Sequence, residues 1–260
     1  MGKASRAKQD GDRREKIAAQ RAAERRRGQR RRLLWLGGGG GVIAAVVAVI
    51  VVVAVTSSGG SKEAIPAAPT GTTTVQPAAV TVPNTTGISG VVAYDTTGWP
   101  TSSHNGPANQ ALGHAHVPGP VQYSVTPPVG GDHNATWLNC GVYDKPVPNE
   151  NATHNLEHGA VWITYQPSLP ASEVSQLRAF AGKQTVLNPS GSGGSRYIDL
   201  TPYPGLPAPI VASSWGFQLR LSSPSDPRLQ QFVNKFRGSQ QYSPEYGGSC
   251  AGGTGTPLQM

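Results

Sequence analysis

The chain has 260 residues and a formal net charge of +8, from 22 Lys and Arg against 14 Asp and Glu side chains. The excess charge is confined to one end: residues 1–32 hold 13 basic and 4 acidic side chains, and the remaining residues have a net charge of −1. A distributed basic surface for nucleic acid is therefore excluded for most of the chain, and no nucleic-acid partner is expected. A polytopic membrane protein is also excluded, because the chain has one long apolar run.

That apolar run comprises residues 33–55, which carry no charge. As a helix that rises about 1.5 Å per residue, it spans the roughly 30 Å hydrocarbon core of a membrane. Arginines abut its N-terminal end, and residues 56–61 after it carry no positive charge. The positive-inside rule predicts an uncleaved signal anchor, with a cytoplasmic tail that contacts membrane lipid. The alternatives are a cleaved signal peptide for the run and RNA binding for the tail.

The segment after the apolar run is rich in Thr, Pro, Ala, Gly and Ser, and it has few side chains that could build a core. This composition predicts a disordered or polyproline-like spacer. The next part has enough Trp, Tyr, Val and Leu for one folded domain. The predicted organisation is a basic cytoplasmic tail (1–32), a transmembrane helix (33–55), a spacer (56–87), an extracytoplasmic domain (88–250) and a flexible C-terminal tail (251–260).

Local patterns predict an α+β domain with a mixed or antiparallel sheet, two main helices and a loop-rich N-terminal half. The β-branched and aromatic run at 160–165 predicts a buried strand. Apolar residues on one side of 170–181, followed by Gly182 as a stop, predict a helix. Alternation of apolar and other residues over 210–221 predicts one half-buried strand.

The last helix has the clearest signals. Asp226 is its predicted N-cap, Pro227 occupies the first turn and Gly238 ends it. Its apolar residues follow the spacing i, i+3, i+4, i+7, which predicts one buried face. These residues are Leu229, Phe232, Val233 and Phe236.

The two cysteines, Cys140 and Cys250, both fall in the part predicted to lie outside the cytoplasm. An even number of cysteines in an oxidising compartment predicts a disulfide, which would tie the loop-rich half of the domain to its C-terminus. In the chain-entropy model, closing so long a loop contributes at most about 4–5 kcal/mol. The alternative is that Cys140 is a thiolate metal ligand.

All six histidines fall in a single stretch of the chain, which ends in an H-x-x-E-H motif. On a helix, the spacing of four residues puts His154 and His158 on one face, with Glu157 beside them. Asn151 is a candidate N-cap and Gly159 a candidate end, which gives a helix of about two turns.

This motif is the arrangement that inverted zincins use, in which two histidines bind zinc and the glutamate activates water. Two features speak against a peptidase of that type: a strand begins within two residues of the motif, and no long downstream helix offers a third carboxylate ligand. The alternative is that the histidines are structural and that Glu157 orients one of them. His104 and His114 match no motif and are interpreted as incidental.

Several segments of the chain, taken in order, resemble the DUF3105 family, a domain of unknown function that occurs in actinobacterial membrane-anchored proteins. The resemblance covers roughly residues 110–250, and the segments that carry it are Tyr123, 126–133, 137–143, 154–165, 202–207 and 211–216. The family motif PP-x-x-G-x-H falls on Pro127, Pro128, Gly131 and His133, and its motif H-x-LEHG falls on His154, Leu156, Glu157, His158 and Gly159. A histidine upstream of the motif tyrosine falls on His116.

The histidines that the resemblance singles out suggest a divalent metal site, with zinc or copper as the candidate ion and Glu157 as a further ligand or an outer contact. If a coordination position stays open, Glu157 is a candidate general base, and the domain a hydrolase or an oxidase. The alternative is a non-catalytic module that binds or scaffolds a cell-envelope partner. The candidate ligands are His116, His133, His154 and His158.

Overall fold

The structure is a computed structural model, which describes residues 62–96, 112–189, 191 and 194–258. The predicted tail (1–32) and transmembrane helix (33–55) lie outside these residues. Within the described ranges, every helix is too short or too polar to span a lipid bilayer.

The described residues form eight strands and three helices, and the predicted α+β class is confirmed. The strands are β1 (Thr74–Val75), β2 (Thr81–Val82), β3 (Val91–Tyr94), β4 (Val121–Gln122), β5 (Val161–Tyr165), β6 (Ile198–Pro202), β7 (Ile210–Ser214) and β8 (Phe217–Leu221). The helices are α1 (Asn149–His158), α2 (Ala171–Lys183) and α3 (Pro227–Phe236). Two of these helices, α2 and α3, are the predicted main helices. The remaining helix, α1, carries the H-x-x-E-H motif.

Six strands form one sheet in the order β2-β3-β8-β7-β5-β6. Its pairs are antiparallel except for β5 and β6, which run parallel and are joined through α2. A separate pair, β1 and β4, is parallel. The predicted mixed sheet is therefore confirmed.

Strand β5, which lies between β7 and β6, is buried on both faces, as the apolar run at 160–165 predicts. Val161, Ile163 and Tyr165 belong to the core under α2 and α3, whereas Trp162 belongs to a second core with Leu156 of α1. Successive strand residues point to opposite faces, so helices cover both sides of the sheet. The two outer helices contribute Leu177, Ala181, Leu229, Phe232, Val233 and Phe236 to the first core.

Both predicted main helices are present, and α3 has the predicted ends. The Asp226 side chain accepts a hydrogen bond from the Arg228 backbone N–H at 2.9 Å, and Pro227 begins the helix. The prediction that Gly182 stops α2 is wrong, because the helix continues to Lys183. Glycine inside a helix loses more conformational entropy than other residues, so Gly182 weakens the helix without ending it. A Cβ at this position would have no atom within 4 Å.

The prediction of one half-buried strand over 210–221 is wrong. These residues form a hairpin, β7 and β8, with Trp215 and Gly216 at the turn. Gly216 has φ of 77°, a conformation that costs glycine little, and its N–H donates to the Val129 carbonyl at 2.6 Å. All of β7 is buried, and it lies between β8 and β5 in the sheet.

The predicted disordered spacer (56–87) is wrong for residues 62–87. β1 pairs with β4, β2 pairs with β3, and Ala64 exchanges two backbone hydrogen bonds with Thr256. The segment has few large apolar side chains, but backbone hydrogen bonds hold it to the domain, and residues of almost any type can form such bonds. Residues 56–61 lie outside the described part.

The flexible tail predicted for 251–260 is likewise wrong as far as residue 258. The Thr254 N–H donates to the Trp137 carbonyl at 2.9 Å, and the Leu258 N–H donates to the Val142 carbonyl at 2.8 Å. The predicted disulfide between Cys140 and Cys250 is confirmed and spans 110 residues of sequence. It anchors the C-terminal segment beside the loop that precedes α1.

Candidate functional site

Helix α1 is polar in sequence and almost wholly buried. Its sequence is NENATHNLEH, and every residue except Asn149 is buried. A buried polar side chain that lacks a hydrogen-bond partner destabilises a fold, so such a helix needs partners on every side. In the part of the chain that the structure describes, the candidate site lies where some of these buried atoms have no hydrogen-bond partner.

The ends of α1 are only partly as predicted. Asn151 is not the N-cap: Pro148 holds that position, and the Asn151 side chain donates to the Thr136 carbonyl at 2.6 Å. Gly159 ends the helix as predicted, with φ of 98° in the left-handed region. His154 and His158 therefore occupy the last two turns, directly before β5.

The loop of the PP-x-x-G-x-H motif runs beside this end of α1. Its histidine pairs with a second segment through two backbone hydrogen bonds: the His133 N–H donates to Ala115 and the Val117 N–H donates to His133, each at 2.8 Å. This bridge places the His116 ring beside the His133 ring, with centroids 5.0 Å apart. Gly131, with φ of 118°, turns the loop so that its carbonyl faces the His133 ring.

Three of the histidine rings are held in the same way: a backbone carbonyl accepts a hydrogen bond from Nδ1. A neutral ring that donates from Nδ1 has its lone pair on Nε2, which is how imidazoles are oriented toward metals in proteins. The pairs are His133 with Gly131 at 2.8 Å, His154 with Asn134 at 2.7 Å and His158 with Ser249 at 2.8 Å.

The histidine rings converge. The Nε2 atoms of His154 and His158 are 3.0 Å apart. The His154 centroid lies 4.8 Å from that of His133 and 5.0 Å from that of His116, onto which it stacks. The structure thus brings together all four histidines predicted from the sequence.

The Glu157 carboxylate faces this cluster from α1 and is only 1% exposed. Its Oε2 atom lies 2.9 Å from His133 Nε2, and its Oε1 atom lies 3.6 Å from His114 Nδ1. The first contact is close but not aligned as a hydrogen bond: within the described part of the chain, neither carboxylate oxygen nor His133 Nε2 has a hydrogen-bond partner. His114, interpreted as incidental, lies beside this carboxylate, and His104 is outside the described residues.

The potential ligand atoms form two groups, in each of which all atoms lie within 4.8 Å of one another. We call His116, His133, His154 and Glu157 the first ligand group. We call His154, His158 and Glu245 the second ligand group. His154 belongs to both.

Glu245 is a site residue that the sequence analysis missed. Its Oε2 atom lies 3.6 Å from His158 Nε2, and its side chain is 54% exposed. Its backbone N–H donates to the Glu157 carbonyl at 2.9 Å, which fixes the C-terminal loop against the end of α1. Glu245 lies in no recognisable motif, 87 residues after His158, so only the fold brings it to the site.

Aromatic rings and one glycine enclose the histidines. Trp137 packs edge-on against His154 and His158, with centroids 5.8 and 5.5 Å away, and Trp215 lies 6.1 Å from His133. A Cβ on Gly248 would overlap the His158 ring, so that position needs glycine.

The ring of His154, which belongs to both ligand groups, is kept neutral by burial and by repulsion from the neighbouring histidines. Burial is the main cause that lowers the pKa of His154 to about 3; His133 and His158 add to the lowering, and the hydrogen bond to Asn134 opposes it. Burial also lowers the pKa of His116. The nearby His158 ring lowers the pKa of Glu245, which favours its carboxylate form.

A second buried carboxyl lies behind α1, on β6. Asp199 accepts hydrogen bonds from the Asn155 side chain at 2.7 Å and from the Gly141 N–H at 3.2 Å. Burial raises its pKa to about 7, because these two hydrogen bonds compensate only part of the lost hydration. Its contacts link α1 to the sheet and to the residue after Cys140.

Comparison with protein families gives a match that covers both motifs of the site. The model described as "Protein of unknown function (DUF3105)" matches residues 114–252. Comparisons with curated proteins and with solved structures gave no match. The matched segment is more than half of the chain and contains His116, His133, α1 and Glu245. The chain belongs to the DUF3105 family.

Proposed function

We propose that this domain binds a divalent metal ion through the first ligand group, His116, His133, His154 and Glu157. The observation that carries the proposal is the convergence of atoms that only accept hydrogen bonds. Carbonyls hold Nδ1 of His133 and His154, so the inward Nε2 atoms present lone pairs, and a carboxylate presents more. A cation satisfies all of these atoms at once.

The burial of Glu157 supports the same proposal. A carboxylate that is 1% exposed and has no hydrogen-bond partner among the described residues is costly to bury. A metal ion at the meeting point of the group would compensate that cost, because its charge is the largest in such a site. Since Glu157 lies among the ligand atoms, we assign it as a ligand rather than as a general base.

Three imidazoles and one carboxylate suit zinc or copper in the divalent state. Soft ligands are lacking: both cysteines form the disulfide, and the two methionines of the chain are Met1 and Met260. When bound, such an ion would act as a Lewis acid that polarises an oxygen atom of a ligand. His116 is the one exposed residue of the group, so exchange with solvent would occur on its side.

We also propose that the domain lies outside the cytoplasm, tethered by residues 33–55 and by lipid contacts of the basic tail. The charge asymmetry of the sequence supports this orientation, and so does the disulfide, because disulfides persist in oxidising compartments. Protease added to intact cells that express the chain should degrade the domain and leave the tail. Protection of the domain in intact cells, with degradation after lysis, would contradict the proposal.

Elemental analysis of the full-length chain tests metal binding. The protein is purified in detergent without a histidine tag, stripped with a chelator and reloaded with Zn(II). We expect bound zinc in the parent chain and its loss in His133→Gln, with Glu173→Gln, a carboxylate change on α2, as the matched control. No bound zinc in the parent chain, together with simple destabilisation in His133→Gln, would support instead a structural network of histidines in a non-catalytic module.

A further inference from the structure

We propose that the site holds two divalent cations side by side, and that Glu245 is a ligand of the second. This inference rests on the proposed function, because it places a second ion beside the one already proposed. It assigns a role to the second ligand group, His154, His158 and Glu245, whose atoms also lie within 4.8 Å of one another.

The shared histidine decides how the ligands are divided. Nδ1 of His154 donates to the Asn134 carbonyl at 2.7 Å, so its single lone pair lies on Nε2. A neutral imidazole nitrogen with one lone pair coordinates one ion. With two ions present, His154 therefore belongs to one group only.

The geometry assigns His154 to the second ion. Its Nε2 atom is 3.0 Å from Nε2 of His158, close to the separation of about 3.4 Å between ligands placed about 2.1 Å from a tetrahedral zinc ion. The second ion then has His154, His158 and Glu245. The first ion keeps His116, His133 and Glu157.

Each set then has three protein ligands, one of which is a carboxylate. Three protein ligands with an open position is the arrangement of zinc ions that exchange a ligand. Each set also has one exposed member, His116 in the first and Glu245 in the second. Both positions are therefore accessible from solvent without rearrangement of the buried rings.

The backbone places Glu245 firmly although its side chain is exposed. Its N–H donates to the Glu157 carbonyl at 2.9 Å, so the two carboxylate-bearing residues are tied together. Four residues later, the Ser249 carbonyl accepts from His158 Nδ1 at 2.8 Å, and the next residue is Cys250 of the disulfide. The loop therefore holds one ligand of the second ion and orients another.

Isothermal titration calorimetry of the metal-free full-length chain with Zn(II) measures how many zinc ions bind to each chain. We expect two equivalents in the parent chain, one in Glu245→Gln and two in the control Glu173→Gln. One equivalent in the parent chain would overturn the second ion and leave the proposed function standing, whereas none would remove both. Two equivalents in Glu245→Gln would also overturn the inference.

Electron paramagnetic resonance with Cu(II) tests the proximity of the ions. Metals in two-metal sites lie about 3.5–4 Å apart, so their unpaired spins couple strongly. At two equivalents we expect the parent chain to lose most of the signal of isolated Cu(II), and Glu245→Gln to keep it. An uncoupled signal in the parent chain would contradict the proposal.

Discussion

The Nε2 atoms of His154 and His158 lie 3.0 Å apart, while Nδ1 of each ring already donates to a backbone carbonyl. Two neutral rings in this arrangement point lone pairs at each other, so only a proton or a metal ion between them makes the contact favourable. The same holds for His133 Nε2 and the Glu157 carboxylate, 2.9 Å apart. The fold thus keeps several acceptors close together, and a bound cation would stabilise it.

Glu157→Gln should have opposite effects on the apo and the zinc-loaded protein. In the apo protein the amide can donate to His133 Nε2, so we expect the free energy of unfolding to rise by about 1–3 kcal/mol. With zinc present the variant lacks a ligand, so the stabilisation by saturating zinc should shrink. Thermal unfolding with chelator or with excess Zn(II) measures both effects. A lower apo stability would show that the carboxylate has a structural role.

Gly248→Ala should disturb the site without straining the backbone. The added Cβ would overlap the His158 ring, so the ring must leave its present position and zinc affinity should fall by roughly tenfold or more. The matched control is Gly182→Ala on α2, which has open space around it and should stabilise the fold by about 0.5–1 kcal/mol. Calorimetry with Zn(II) compares the two, and unchanged affinity in Gly248→Ala would contradict the account.

Removal of the disulfide should weaken both the fold and the second ion. The double variant Cys140→Ser with Cys250→Ser loses the closure of a loop of 110 residues, which costs at most about 4–5 kcal/mol in urea unfolding. It also releases the Ser249 carbonyl that orients His158. We therefore expect the zinc equivalent that depends on His158 and Glu245 to be lost first in titration. Equal loss of both equivalents would argue against a special role of this loop.

Asp199 should make stability fall as pH rises. Its carboxyl has a pKa of about 7 in the fold and about 4 in the unfolded chain. Between these values the folded protein binds more protons, so the free energy of unfolding decreases with pH, by up to about 4 kcal/mol in total. Asp199→Asn should lack this decrease, since Asn155 can reverse its amide to pair with it. Urea unfolding in chelator from about pH 4 to about pH 8 measures the difference, and parallel profiles would refute it.

Deletion of residues 62–87 should destabilise the domain. The deletion removes β2 from β3, β1 from β4, and the two hydrogen bonds between Ala64 and Thr256. It also leaves β3 as an unpaired edge, which favours aggregation. We expect a clearly lower melting temperature, measured by circular dichroism. An unchanged melting temperature would restore the interpretation of this segment as a spacer.

Local patterns were sufficient where one side chain or one period decides the structure. The cap at Asp226, the apolar face of α3, the buried run of β5 and the end of α1 at Gly159 are all present. Local patterns gave a wrong prediction where contacts between distant parts of the chain determine the structure. Trp215 and Gly216 form a turn because the strands on both sides pair with each other, which alternation alone does not reveal.

For the site, the spacing in H-x-x-E-H and the family resemblance indicated four of the histidines and Glu157. They did not indicate Glu245 or His114, because neither has a fixed spacing to the motif. They also did not show that Glu157 contacts His133 from the neighbouring loop. That contact depends on how a backbone bridge positions two loops, and it follows from packing rather than from periodicity.

Anomalous X-ray scattering at the zinc edge, from crystals of the full-length chain soaked in Zn(II), tests the central claim most directly. We predict a strong peak within coordination distance, about 2.0–2.2 Å, of His133 Nε2 and a Glu157 oxygen. Rings in the positions described above, with no anomalous peak among them, would contradict the claim that this domain is a metal-binding module.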